Sequence, residues 1–104
     1  MIKRPVLAAL AAAVLVSTGS MVSAGPIEKA CNRSDRSAAT RALCGCIQQA
    51  ADLTLNGSDQ RRAAKFFSDP DLAHTVRFSK KTNDDAFWKR YRQFTDMAEA
   101  YCAG

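Results

Sequence analysis

The sequence is poor in the residues that carry most catalysis. It has a single histidine, His74, and only four cysteines. It contains no Gly-x-Ser-x-Gly nucleophile turn, no calcium-loop spacing, no phosphate-cradling glycine loop and no dinucleotide fingerprint. His74 therefore has no partners for Ser-His-Asp chemistry and reads as a surface or half-buried residue. The carboxylates Asp69 and Asp71, and Asp84 and Asp85, stand where helix caps and first turns use negative charge. No catalytic set and no cofactor site follow from these residues, and the expectation is a protein that is not an enzyme. At 104 residues, the chain is also too short for a two-lobed solute receptor.

Long apolar runs are scarce too. The one that stands out is Val6–Val16, eleven residues in a row. It follows Lys3 and Arg4 and falls short of the ~20 residues that a spanning helix needs. Val22-Ser23-Ala24 then supplies small residues at a cleavage site. Residues 1–24 thus read as a secretory signal peptide cut between Ala24 and Gly25, and residues 25–104 as one helical domain. The alternative is an uncleaved anchor. No lipobox precedes Cys31. The mature part holds thirteen Lys and Arg against ten Asp and Glu, a net +3. That charge is too small to argue for nucleic acid. With no second apolar run, the mature chain is expected to be periplasmic or secreted and not membrane-spanning.

All four cysteines, Cys31, Cys44, Cys46 and Cys102, lie in that mature part. An even count in a short exported chain implies two disulfides. Zinc ligation is disfavoured, because the Cys44-Gly45-Cys46 spacing is tighter than zinc pairs use. In a helix, Cys44 and Cys46 point about 200° apart and cannot bond to each other. Ala39, Leu43, Cys46, Ile47, Ala50 and Leu53 share one helical face, which turns Cys46 inward. Cys102 falls on another apolar face. The preferred pairing is Cys46–Cys102 inside and Cys31–Cys44 beside it. The competing reading makes Cys44-Gly45-Cys46 a strained, oxidising thiol–disulfide site.

Hydrophobic residues make up 47% of the sequence, too many for a disordered chain. No alternation long enough for a strand occurs in residues 25–104. The predicted elements are a short lead-in at Pro26–Ala30, one helical turn at most, then a long helix from Asp35 or Ser37 to Leu55, ended by Asn56-Gly57 with Gly57 in the left-handed position after it. Ser58 caps a second helix, Asp59–Phe67. Asp69 and Pro70 open a third. Thr82 or Asn83 caps a last helix that ends near Cys102. Phe87, Tyr91, Phe94, Ala98 and Tyr101 form its apolar stripe. The expected fold is all-α, a small disulfide-stapled bundle of about four helices.

Two groups of side chains suggest a surface that meets something. Arg61, Arg62 and Lys65 cluster beside Phe66 and Phe67, and Arg33, Arg36 and Arg41 add positive charge nearby; the two Phe either both pack into a small core or leave one exposed to mark a surface. The candidate interaction surface is Arg61, Arg62, Lys65 and Phe66, with an unknown protein or an anionic surface such as lipid headgroups as partner. Trp88-Lys89-Arg90-Tyr91-Arg92 mixes aromatics with cations as an anion or membrane-surface patch would, but the favoured reading turns the aromatics to the core and leaves Lys89, Arg90 and Arg92 covering the solvated side.

The motifs Cys31-Asn32-Arg33-Ser34-Asp35-Arg36 and Arg41-Ala42-Leu43-Cys44-Gly45-Cys46 resemble a group of small exported alphaproteobacterial (Rhodobacter-like) proteins. Phe66-Phe67-x-Asp69-Pro70, Ala86-Phe87-Trp88-x-Arg90-Tyr91 and Ala98-Glu99-Ala100-Tyr101-Cys102 carry the same resemblance along most of the mature chain. Members are sometimes labelled "arginine transporter". The resemblance implies a bacterial periplasmic setting and, through that label, an accessory part in amino-acid uptake.

Overall fold

A computed structural model describes residues 25–103. The expected signal peptide lies outside the described residues. Five α-helices follow one another: α1 (Pro26–Arg33), α2 (Arg41–Thr54), α3 (Gly57–Ala64), α4 (Pro70–Arg77) and α5 (Thr82–Cys102). A 3₁₀ turn, Lys65–Phe67, extends α3. The fold is all-α and disulfide-stapled, as expected.

The lead-in is more than one turn. Pro26 opens α1 with its fixed φ, Glu28 sits in the first turn and Arg33 in the last. Ser34 stops it by donating both its N–H and its hydroxyl to the Cys31 carbonyl, at 3.1 and 2.8 Å. The long helix does not begin at Asp35 or Ser37. Residues 34–40 form a loop, and the Thr40 hydroxyl caps α2 by accepting from Leu43 N–H at 3.0 Å.

Asn56 and Gly57 do follow the end of α2, but Gly57 is helical rather than left-handed. Leu55 leaves the helix in extended backbone, and Asn56 accepts from Asp59 N–H at 2.8 Å, so Asn56 rather than Ser58 caps α3. An asparagine in extended backbone satisfies a first-turn donor directly, which leaves Gly57 as an ordinary first helical residue. Neither Asp69 nor Thr82 nor Asn83 caps by its side chain. Pro70 opens α4, and Asp84 and Asp85 occupy the first turn of α5.

The core joins Ile27 of α1, Ala50, Ala51 and Leu55 from α2 and its end, Ala63, Phe66, Val76, and Phe87 and Phe94 of α5. Phe66 is its aromatic hub. Its ring meets Phe87 at 6.0 Å and Tyr91 at 5.2 Å, both edge-on. Trp88 leans on Tyr91 at 4.9 Å. Two members of the predicted stripes lie outside: Leu53 is 76% exposed and Tyr101 77% exposed.

The disulfides are Cys31–Cys44, tying α1 to α2, and Cys46–Cys102, tying α2 to the end of α5. The pairing is the expected one, but the faces are exchanged. Cys44 and Cys31 are buried, while Cys46 and Cys102 are half-buried. The cause is that α2 packs against both α1 and α5. Its α1-facing side, Cys44, Gln48 and Ala51, is as deeply covered as its α5-facing side.

Candidate functional site

Helices α1 and α3 lie side by side, and a groove of about 790 Å³ runs between them and the 3₁₀ turn. One wall is the outer face of α1, with Lys29 and Arg33 one turn apart. The other carries Arg61 and Lys65, also one turn apart. Arg36 lines the groove too, its guanidinium 5.8 Å from the ring centre of Phe67. Pro26, Ala30, Ala64 and Phe67 give the lining an apolar part.

The charge of this groove is lopsided. Five of the thirteen Lys and Arg in residues 25–103 line it, against one of the ten acids, Asp35. The groove is thus +4, and the rest of the described chain is −1 (eight cations against nine acids). Among the described residues, none of these five cations forms an ion pair. The pairs that do form are Arg62–Asp84, Lys89–Asp85 and Arg90–Asp59, all elsewhere. Like charges gathered without partners repel one another, so the arrangement costs folding free energy and favours a bound anion.

Two of the four residues expected at this surface are not on it. Phe66 is 5% exposed and belongs to the core, because the 3₁₀ turn winds it toward α5 and leaves the half-buried Phe67 at the groove. Arg62 turns the other way from Arg61. It pairs with Asp84 and stacks 4.5 Å over the Phe87 ring, fastening α3 to α5. Arg61 and Lys65 line the groove, together with Arg33 and Arg36 from the nearby basic residues. Arg41 does not line the groove. Lys29 was not singled out in the sequence. Its only signal is its place four residues before Arg33.

Polar clamps hold the walls. Gln48 of α2 is 6% exposed. Its Oε1 accepts from Glu28 N–H at 2.8 Å, and its Nε2 donates to Asp52 Oδ1 and Gln60 Oε1, each at 2.8 Å. Gln60 Nε2 in turn donates to Asp52 Oδ1 at 3.1 Å and to the Leu55 carbonyl at 3.2 Å. This network joins α1, α2 and α3.

Arg90 is not a purely solvated cation. Its Nε and Nη2 donate to the two oxygens of the nearly buried Asp59 at 2.6 and 3.1 Å. That fork raises the Arg90 pKa above its ordinary value, the hydrogen bonds to Asp59 being the main cause. Asp84 is held below the usual carboxylate range by the Ser79 hydroxyl and then by Arg62. Burial pushes the Tyr91 phenol up, and the nearby Arg36 charge offsets part of that.

The cysteines form no dithiol site. Cys44 and Cys46 belong to different bridges, and all four sulfurs are bonded. His74 is exposed and lies 4.7 Å from Phe78, ring to ring. No family model matches the chain, and neither the curated proteins nor the solved structures yield a match.

Proposed function

We propose that this protein is an exported, non-enzymatic binding module whose groove between α1 and α3 receives an anionic partner. One observation carries the reading: five cations without ion-pair partners converge on one groove, while the remaining described chain is slightly acidic. Holding an anion by lysine and arginine needs no proton or electron transfer. The two disulfides support a periplasmic or secreted setting, since such bonds persist in oxidising compartments. Among the described residues, no helix is long and apolar enough to cross a membrane.

The other readings have less to support them. A Cys-x-Cys redox site needs its two sulfurs together, and here they are in separate bonds. An arginine ligand would carry its guanidinium into a groove with five cations and one carboxylate, which disfavours the uptake reading.

Two charge-matched variants test the proposal with fluorescein-labelled poly-glutamate as probe. R33A/R61A/K65A removes three groove charges. K80A/K89A/R92A removes three exposed charges elsewhere. The groove variant is expected to weaken binding by about tenfold or more, from three lost ion pairs, and the control by far less. Equal weakening by both would mean that net charge alone acts and that the groove is not a site.

A further inference from the structure

The walls of the groove carry a spacing as well as a sign. Lys29 and Arg33 on α1, and Arg61 and Lys65 on the facing segment, are each four residues apart. On a helix that separation is about 6 Å along the axis. In an extended peptide, side chains two residues apart are about 6.6 Å apart and point the same way, and the residue between them points the opposite way. An extended strand laid along the groove would therefore present alternate acids at the spacing of the cations within a row. The intervening side chains would face Ala30, Ala64 and the half-buried Phe67.

We infer that the partner is an extended acidic peptide segment in which carboxylates alternate with apolar side chains. The inference rests on the anion-binding reading of the same groove. The apolar lining is what separates this occupant from other polyanions. Inorganic polyphosphate has nothing to place on Phe67. A lipid headgroup surface is flat and follows a groove less closely than a single extended strand does. Arg36, which leans on the Phe67 ring at 5.8 Å, covers one side of that apolar spot and holds a charge at its edge, so an acid beside an apolar residue satisfies both.

Calorimetric titration of the full disulfide-bonded chain with two peptides decides the matter. One is acetyl-Glu-Leu-Glu-Leu-Glu-amide, and the other has both Leu replaced by Ser. The Leu peptide is expected to bind roughly tenfold or more tighter, from the apolar area that two leucines bury. Both should weaken as salt rises. The gap between the peptides should shrink in F67S, with circular dichroism confirming that this variant is helical. Changing the ligand rather than the protein keeps the comparison free of folding effects.

Equal affinity for the two peptides, with salt dependence intact, would overturn the alternating-peptide inference and leave the anion-binding groove standing. Tighter binding to phosphatidylglycerol vesicles or to polyphosphate than to the Leu peptide would also overturn it. No binding of any of these anions at low salt would remove the groove reading itself.

Discussion

Gly25 lies so close to Gln48 that a Cβ on it would fall 2.5 Å from the Gln48 carboxamide carbon. Gly25 is the N-cap of α1 and has no side chain to do the capping. Gln48, from α2, does it instead by accepting from Glu28 N–H at 2.8 Å. The first turn of α1 is thus capped across the helix interface, and the space that a cap side chain needs is filled by the glutamine that replaces it.

The usual rule for cap positions is expected to reverse here. Replacing glycine by serine at an N-cap ordinarily stabilises a helix slightly. Gly25→Ser should instead destabilise by about 1–3 kcal/mol, because a Cβ there displaces the Gln48 carboxamide from its bonds to Glu28, Asp52 and Gln60. Urea denaturation of the disulfide-intact protein measures it. A gain in stability would show that Gln48 has room to move and is not the cap.

Asp59 and Arg90 should act as a unit. Asp59 is nearly buried, so removing Arg90 strands a carboxylate that has lost two charge-assisted bonds. Arg90→Met is expected to cost about 1–3 kcal/mol, Arg90 itself being 43% exposed and partly screened. Asp59→Asn in the Arg90→Met background should cost less than Asp59→Asn alone. Additive losses in that double-mutant cycle would mean that the two side chains do not interact.

Acid should erase the contribution of Asp84. Its pKa is lower in the folded chain than the ordinary 3.8. The folded state then binds the proton less tightly than the unfolded chain, so the stabilisation is complete above about pH 4 and fades as pH falls through the folded value. Wild type should be more stable than Asp84→Asn at pH 7, and the difference should narrow below pH 4. A difference that does not change between pH 7 and pH 2 would contradict the Arg62 and Ser79 contacts.

The disulfides should differ in worth. Cys46–Cys102 spans 56 residues of sequence and Cys31–Cys44 only 13. In the chain-entropy view they contribute about 4 and about 3 kcal/mol respectively. Thermal denaturation of C46S/C102S should therefore show a loss of roughly 15–30 °C or complete unfolding. An unchanged Tm would argue against a structural role. For C31A/C44A a packing loss adds to the entropy term, because both sulfurs are buried.

Much of this fold is legible in the sequence because local signals decide it. Pro70, Asp84, Asp85 and the apolar stripe through Phe87 and Phe94 act within one or two turns, and cysteine arithmetic leaves few pairings. Which face of a helix is covered is decided by its neighbours. A single-face reading of α2 made Cys46 and Leu53 inward, whereas packing by α1 on one side buries Cys44 and Gln48 instead. The groove was half legible. Arg61 and Lys65 could be read as a basic pair, but choosing Phe67 over Phe66 depends on the 3₁₀ turn. Arg62 and Arg90 look like surface charges until Asp84 and Asp59 are brought to them from another helix.

Amide chemical-shift mapping of the isotopically labelled chain during titration with acetyl-Glu-Leu-Glu-Leu-Glu-amide tests the groove most directly. The account predicts that the largest shifts cluster at Lys29–Arg33 of α1 and across Arg61–Phe67. Shifts centred on Lys80, Lys81 and Lys89, or spread evenly over all exposed cations, would contradict it.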